Sequence, residues 1–239
     1  MSDDLVLKGR TALVTGASRG IGRSVVEALA EAGARVWCLG RTASDLRALA
    51  ADVGGEALTV DLTDDAATWD ALDGMMDTIG GAPDVVVNSA GVFAIASAAE
   101  ETVAAFDAAF AVNLRAPFLI NRAVLPSMLE RGSGLIVNIG SVAGRRALHG
   151  NTAYSASKFG LRGYHGVLLE ELRGTGVRAT LLEPSATDTP LWDALNPDSN
   201  PALPSRSAML AAEDVAAAVL FLASRPETVR IPLLQIERA

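Results

Sequence analysis

Short apolar runs alternate along the chain with longer segments in which apolar residues recur at helical spacing. The short runs are continuously apolar, which is typical of strands buried on both faces of a sheet. Strand followed by helix, repeated about six times, predicts an α/β fold in which helices cover both faces of a mostly parallel sheet. The predicted strands are residues 11–15, 35–39, 57–60, 84–88, 134–139, 177–182 and 231–236. The predicted helices are residues 21–32, 44–52, 64–79, 102–131, 152–173 and 212–223.

Prolines interrupt this regular pattern at two places. Pro117 lies inside the predicted helix 102–131 and is expected to kink that helix or to split it in two. Residues 184–204 contain five prolines, so this segment is predicted to be a long irregular loop. Such a loop is either a lid over a binding site or an exposed connector, and residues 185–210 are a candidate substrate lid. No linker or repeat divides the chain, which predicts a single domain over residues 1–239.

The composition excludes several classes of protein. Half of the 239 residues are hydrophobic and 20% are charged, which excludes a disordered chain. The formal net charge of -8 argues against a broad nucleic-acid surface, because such a surface needs an excess of Lys and Arg. The single cysteine, Cys38, cannot form an internal disulfide. We expect neither a secretion signal nor a membrane span, and hence a cytoplasmic protein.

A glycine-rich turn directly follows the first predicted strand and opens the first helix. Glycines at this junction permit a tight turn and a close approach of the backbone, and the helix N-terminus offers N–H groups and a partial positive charge to a phosphate. A structural bend without a ligand is the simpler alternative. The position in the first strand–helix unit favours a dinucleotide site. The residues expected to contact the cofactor here are Gly16, Ser18, Arg19, Gly20, Ile21 and Gly22.

The end of the second predicted strand bears on the choice of cofactor. An acid at this point would bind the ribose hydroxyls of NAD, but the sequence has Gly40 and Arg41 instead. Arg41 and Arg19, with no competing carboxylate, favour the 2′-phosphate of NADP(H) over NAD(H). The alternative is that both arginines are solvated surface residues.

Two further segments follow strands at the same predicted edge of the sheet. Asp61 follows the third strand, where the adenine is expected, although a helix N-cap is an equally good interpretation. Small residues from Asn88 through Ala90 to Gly91 close the fourth strand, as a backbone running beside a cofactor requires. A simple turn would have the same composition. We take Asp61, Asn88, Ala90 and Gly91 as candidate cofactor contacts.

The most specific chemical pattern consists of Ser141, Tyr154 and Lys158. Tyr154 and Lys158 are four residues apart on a predicted helix and therefore lie on one face. A phenol has an ordinary pKa of about 10, and a nearby ammonium is expected to lower it toward useful acid–base catalysis. Ser141 follows the fifth strand, and its hydroxyl is placed to donate to a substrate carbonyl.

Taken together, these motifs resemble the short-chain dehydrogenase/reductase family over nearly the whole chain. The resemblance rests on the glycine turn, residues 88–91, Asn113, Ser141 and Tyr154-x-x-x-Lys158. It implies a Rossmann-like fold of seven strands and an oxidoreductase acting on a small-molecule carbonyl or secondary alcohol.

The resemblance also assigns roles to four residues of the active site. Tyr154 is the general acid–base, and Lys158 holds the nicotinamide ribose and lowers the pKa of Tyr154. Ser141 orients the substrate, and Asn113 supports a water-linked proton relay. A nucleotide-binding regulator without turnover is the alternative from another functional class, and an intact acid–base tyrosine argues against it.

The sequence departs from the family pattern near its end. Ser185 follows Pro184 where the family usually has glycine, while Thr187 and Thr189 match the segment that contacts the nicotinamide carboxamide. Pro184, Thr187 and Thr189 are therefore further candidate cofactor contacts. Residues 231–239 lack the Gly-rich ending of tetrameric members, which leaves homodimer and homotetramer both open. His149 and His165 are not spaced with other metal ligands, so no metal site is predicted.

Overall fold

The computed structural model describes residues 5–239. Seven strands within this range form one parallel sheet. The strands are β1 Thr11–Thr15, β2 Arg35–Gly40, β3 Glu56–Thr59, β4 Val85–Asn88, β5 Gly134–Ile139, β6 Val177–Pro184 and β7 Leu233–Ile236. Their order is β3-β2-β1-β4-β5-β6-β7, and every neighbouring pair is parallel. The strand order reverses between β1 and β4, which is where open α/β sheets bind ligands.

Helices cover both faces of this sheet. They are α1 Gly20–Glu31, α2 Ala43–Val53, α3 Asp65–Ile79, α4 Val103–Phe110, α5 Ala116–Arg131, α6 Thr152–Glu171 and α7 Ala212–Ala223. Because successive side chains of a strand point to opposite faces, Val36 packs into the core beneath α1, α2 and α7, whereas Trp37 packs into the core beneath α3, α5 and α6. The predicted Rossmann-like, doubly covered sheet is therefore confirmed.

The ends of some elements differ from the sequence prediction for local reasons. The seventh strand begins at Leu233 rather than at residue 231, because Pro232 has no N–H for the sheet. The expected interruption near Pro117 takes the form of a π-helical turn, Ala111–Arg115, between α4 and α5. Pro117 directly follows this turn in a helical run that is continuous from Val103 to Arg131, so its missing N–H removes one helical hydrogen bond there.

The run Val103–Arg131 is the one helical segment within residues 5–239 that is long and apolar enough to cross a membrane, a property that core helices of soluble proteins share. Ile120, Val124 and Met128 on this run are fully buried against the sheet. The α5 part of this run therefore packs in the core of the fold, whereas in α4 only Ala109 is buried.

The proline-rich segment between β6 and α7 is irregular, as predicted. It contains three short 3-10 turns, Pro190–Leu195, Pro197–Ser199 and Arg206–Ala208. The Arg206 guanidinium bonds the carboxylates of Asp188 at 2.5 Å and Asp193 at 2.6 Å, so one side chain ties two parts of the segment together.

Candidate active site

A cleft of about 300 Å³ opens at the carboxyl edge of β1, β2 and β4. It lies at the reversal of strand order, where the sequence places the dinucleotide. Most of the predicted cofactor residues line it: Gly16, Ser18, Arg19, Gly20, Ile21, Gly22, Arg41, Asp61, Ala90, Gly91 and Thr189.

Glycine is required in this cleft because the backbone segments approach closely. A Cβ at Gly16 would lie 2.8 Å from Ala90 Cα, and a Cβ at Gly22 would lie 2.3 Å from the Gly16 carbonyl oxygen. Gly20 has φ +53°, in the left-handed region that favours glycine. The first turn of α1 contains no acid, and Arg19 at its N-cap makes no side-chain cap hydrogen bond. The free N–H groups of this turn therefore fit the pyrophosphate of a dinucleotide.

Arg19 and Arg41 reach the same cleft, but a carboxylate accompanies them. Thr42 and Asp45 also line this cleft, although neither is among the residues predicted from the sequence. Asp45 is the third residue of α2, so the expectation of arginines with no competing carboxylate needs correction. The turn between β2 and α2 brings this acid back toward the end of the strand.

Asp61 lies in this cleft and does not cap a helix. Its pKa is lowered by hydrogen bonds from the Thr63 N–H at 3.0 Å and the Thr63 hydroxyl at 2.8 Å, and by the charge of Arg41. The N-cap of α3 is Asp64, whose carboxylate accepts from the Ala67 N–H at 3.0 Å. The N-cap alternative for Asp61 is therefore wrong.

The side chain of Asn88 is buried and lines neither this cleft nor the next, so the expected cofactor contact at this position is left to the backbone. Its amide donates to the oxygens of Asn121 and Asn138, each at 2.8 Å. Asn138 donates in turn to His165 Nδ1 at 3.1 Å, so the opposite nitrogen, Nε2, donates to the Pro232 carbonyl at 3.2 Å. Burial lowers the pKa of His165 to about 4, which keeps it neutral within this network.

A second cleft, of about 720 Å³, continues from the first. The residues common to both are Ile21, Ser89, Gly91, Thr189 and Leu191. The second cleft brings together Ser141, Tyr154 and Lys158 from β5 and α6, and the candidate contacts Pro184 and Thr187 from the end of β6.

Ser141 and Tyr154 are direct neighbours at the inner end of the second cleft. The Ser141 hydroxyl lies close enough to Tyr154 to act on the pKa of its phenol, and its oxygen accepts from the Ala143 N–H at 3.1 Å. A Cβ at Gly144 would lie 2.9 Å from the Lys158 carbonyl oxygen, so the turn after β5 packs tightly on α6. This packing brings Ser141 and Tyr154 from two different elements into the same cleft.

Lys158 is buried beside the tyrosine, but it does not bond the phenol. Its ammonium donates to the Ile139 carbonyl at 2.8 Å and lies 5.8 Å from the centre of the Tyr154 ring. Burial lowers the pKa of Lys158 to about 8. Burial also raises the pKa of Tyr154, an effect that the Ser141 hydrogen bond partly offsets. The expected lowering of the Tyr154 pKa by Lys158 therefore needs correction, because desolvation dominates both groups.

Asn113 lies in the π-helical turn, and its side chain links the loop after β4 to α6. Its side-chain oxygen accepts from the Val92 N–H at 2.9 Å, and its amide donates to the Val92 carbonyl and to Ser157 Oγ, each at 3.0 Å. These bonds hold the loop after β4 against α6. Pro117, four residues later, supplies no N–H to the Asn113 carbonyl, which is thereby free of the usual helical donor.

Several apolar residues of the second cleft are not among those predicted from the sequence. Phe93 and Ile95 come from the loop after β4, and Leu195 and Leu203 come from the segment between β6 and α7. The sequence carries only a weak signal for them, because an apolar side chain in a loop has no characteristic spacing. Within residues 5–239 no group of His, Cys, Asp and Glu is placed to hold a metal ion.

Comparison with known proteins identifies relatives for the whole chain. The family model described as short chain dehydrogenase matches residues 10–200. The D-threitol dehydrogenase of Mycolicibacterium smegmatis is 39% identical over 230 residues, covering 92% of this chain and 88% of that protein. The L-xylulose reductase of Bos taurus is 40% identical over 193 residues, covering 80% of this chain and 77% of that protein.

A solved structure shows the same fold. A metagenomic short-chain oxidoreductase in complex with NADP superimposes with a TM-score of 0.83 at 34% identity, covering 98% of this chain and 99% of that one.

Proposed function

This chain belongs to the short-chain dehydrogenase/reductase family and is an oxidoreductase, and on that premise we propose that it transfers a hydride between NADP(H) and the carbon of a carbonyl or secondary alcohol. One observation carries the proposal. The cleft that fits a dinucleotide continues into a second cleft, and Ser141 and Tyr154 lie together in that second cleft, where Ser141 acts on the pKa of Tyr154. The names of the relatives supply a polyol and a sugar as reference compounds for testing the substrate.

Different residues of the chain bind the cofactor, transfer the proton and orient the substrate. The glycine turn and the first turn of α1 hold the pyrophosphate, and the bound nicotinamide supplies or accepts the hydride. Tyr154 donates its proton to the substrate oxygen during reduction and takes it back during oxidation. Ser141 donates a hydrogen bond to the same oxygen as negative charge develops there. Burial keeps Tyr154 protonated at neutral pH, the form that reduction needs.

Lys158 and Asn113 support the proton transfer. Lys158 holds the nicotinamide ribose, and its buried ammonium relays protons toward Tyr154. The Asn113 carbonyl, which lacks its usual helical donor, holds a water that links this relay to solvent. A regulator without turnover would have no need of a half-buried tyrosine beside a serine in this cleft.

The cofactor preference rests on the arginines of the first cleft. Arg41 and Arg19 bind the 2′-phosphate of NADP(H), because a guanidinium forms paired hydrogen bonds with phosphate. Asp45 weakens this preference by repulsion and leaves NAD(H) as the alternative cofactor.

The surroundings of the active site complete the proposal. Residues 185–210 act as a lid, since Leu191, Trp192, Leu195, Leu203 and Pro204 of this segment line the second cleft.

The protein works in the cytoplasm as a homodimer or homotetramer. The exposed apolar side chains Val103 and Val167 on α4 and α6 support assembly.

The two tyrosines of the chain provide a matched test. Tyr154→Phe removes the proton donor, and we expect it to abolish turnover while NADPH still raises the melting temperature. Tyr164→Phe removes a phenol that accepts from Asn121 at 3.1 Å, outside both clefts, and we expect turnover to persist. Substantial turnover by Tyr154→Phe would contradict the proposal.

A further inference from the structure

Apolar and aromatic side chains dominate the outer part of the second cleft. They come from three separate segments, the loop after β4, the segment before α6 and the lid: Phe93, Ile95, Leu148, Trp192, Leu195 and Leu203. We infer that the substrate is an apolar carbonyl compound carrying an aromatic ring, rather than a polyhydroxylated sugar or polyol. This inference rests on the proposed hydride transfer and specifies its substrate class.

Phe93 forms the centre of an aromatic wall. Its ring centre lies 4.7 Å from that of Tyr154 and 5.0 Å from that of Trp192, with interplanar angles of 64° and 67°. Both are edge-to-face arrangements, the geometry that aromatic rings prefer. The wall thus runs from the acid–base phenol to the lid, and a planar ring attached to the reacting carbonyl would lie against it.

Besides His149 and Ser185, two asparagines line the second cleft, and the side chains of both are partly occupied. The Asn151 amide donates to the His149 carbonyl at 3.2 Å, and the Asn200 side-chain oxygen accepts from the Ala202 N–H at 3.0 Å. Among residues 5–239, Lys158 is the only lysine, arginine or acid lining this cleft, and it bonds the Ile139 carbonyl. A substrate with several hydroxyls would place most of them against the apolar side chains of the cleft, which disfavours binding.

The second cleft has to hold the nicotinamide as well as the substrate. Its volume of about 720 Å³ covers both, because candidate cofactor contacts such as Lys158, Pro184 and Thr187 line the same cleft as Phe93 and Trp192. Ser141 and Tyr154 supply the polar contacts for one carbonyl oxygen, and the aromatic wall supplies the rest of the surface. This combination of one polar end and one apolar body matches an aryl ketone.

A pair of ketones tests the inference on the full chain with NADPH. We expect kcat/KM for acetylnaphthalene to exceed that for L-xylulose by about 100-fold or more. Phe93→Ala and Trp192→Ala should each narrow this ratio by about 10-fold, because each removes part of the wall. Phe221→Ala serves as the control, since Phe221 is an exposed aromatic on α7 that contacts Arg225 and lines neither cleft.

Equal or better reduction of L-xylulose would overturn the inference while leaving the proposed hydride transfer intact. Reduction of neither ketone would instead contradict the proposed function. Equilibrium dialysis then measures the preference of the cleft without turnover. Naphthylethanol should bind more tightly than xylitol, and Phe93→Ala and Trp192→Ala should each reduce this difference in affinity. No preference for naphthylethanol would overturn the inference. Phe93→Leu replaces Phe93→Ala if circular dichroism shows that the alanine variant is unfolded.

Discussion

The ammonium of Lys158 lies 5.8 Å from the centre of the Tyr154 ring, yet its hydrogen bond goes to the Ile139 carbonyl of β5. Helical spacing places the two side chains on one face of α6, and the strand edge then determines where the ammonium bonds. The site therefore holds a half-buried phenol with a raised pKa beside a buried ammonium with a lowered pKa.

Burial of Lys158 makes the stability of the chain depend on pH. Its pKa falls to about 8 on folding, so the unfolded chain binds more protons between pH 8 and the ordinary lysine value of 10.5. The penalty for burying the charge is present below pH 8 and disappears as pH rises through this window. We expect the free energy of unfolding of Lys158→Met at pH 7 to exceed that of the parent by on the order of a few kcal/mol. This gain should shrink toward pH 10.

Urea denaturation of both proteins at several pH values measures this gain. Lys8→Met is the matched control, because Lys8 is the other lysine of the chain and is exposed. A gain for Lys158→Met that stays constant with pH would contradict the titration of Lys158.

The Ser141–Tyr154 hydrogen bond should shift the pH profile of alcohol oxidation. Oxidation needs the phenolate, so its rate should rise with pH toward the raised pKa of Tyr154. The Ser141 bond lowers that pKa, and Ser141→Ala should move the rise to still higher pH. We also expect kcat to fall about 100-fold through loss of the donor to the substrate oxygen. A profile of kcat/KM against pH that keeps its midpoint in Ser141→Ala would show that the bond does not act on Tyr154.

Arg41 and Asp45 should have opposite effects on cofactor binding. Arg41→Ala removes a guanidinium from the predicted 2′-phosphate site and should weaken NADPH binding by about 10-fold or more, with little effect on NADH. Asp45→Asn removes a competing carboxylate and should strengthen NADPH binding. Fluorescence titration with both cofactors measures this, with Arg47→Ala on the exposed part of α2 as the control. Equal losses of affinity for NADPH and NADH in Arg41→Ala would favour an enzyme that uses both cofactors.

Two glycines in helices should respond oppositely to alanine. A Cβ at Gly22 would lie 2.3 Å from the Gly16 carbonyl oxygen, so Gly22→Ala should displace the glycine turn and abolish NADPH binding, at a cost of about 1–3 kcal/mol in stability. A Cβ at Gly74 in α3 would meet only open space, so Gly74→Ala should gain about 0.5–1 kcal/mol and bind NADPH normally. Thermal unfolding with and without NADPH distinguishes these outcomes. Normal NADPH binding by Gly22→Ala would show that the turn does not hold the cofactor.

Position along the chain was sufficient to predict most of the first cleft. Parallel strands end at one edge of the sheet, so residues that follow β1, β3 and β4 meet there once the alternating pattern is recognised. Asp45 and Asn88 show the limit of this reasoning. Whether a side chain at that edge enters the cleft or the core depends on the direction in which it points, and Asn88 bonds Asn121 and Asn138 inside the core.

The sequence by itself determined the parallel sheet, the glycine turn and the shared face of Tyr154 and Lys158, because these follow from local periodicity and from the conformational freedom of glycine. Only the tertiary structure decided what surrounds those groups. The aromatic wall around Phe93 and the desolvation that raises the Tyr154 pKa arise from segments far apart in the chain. Contacts and burial of this kind depend on packing in three dimensions, and no spacing along the sequence encodes them.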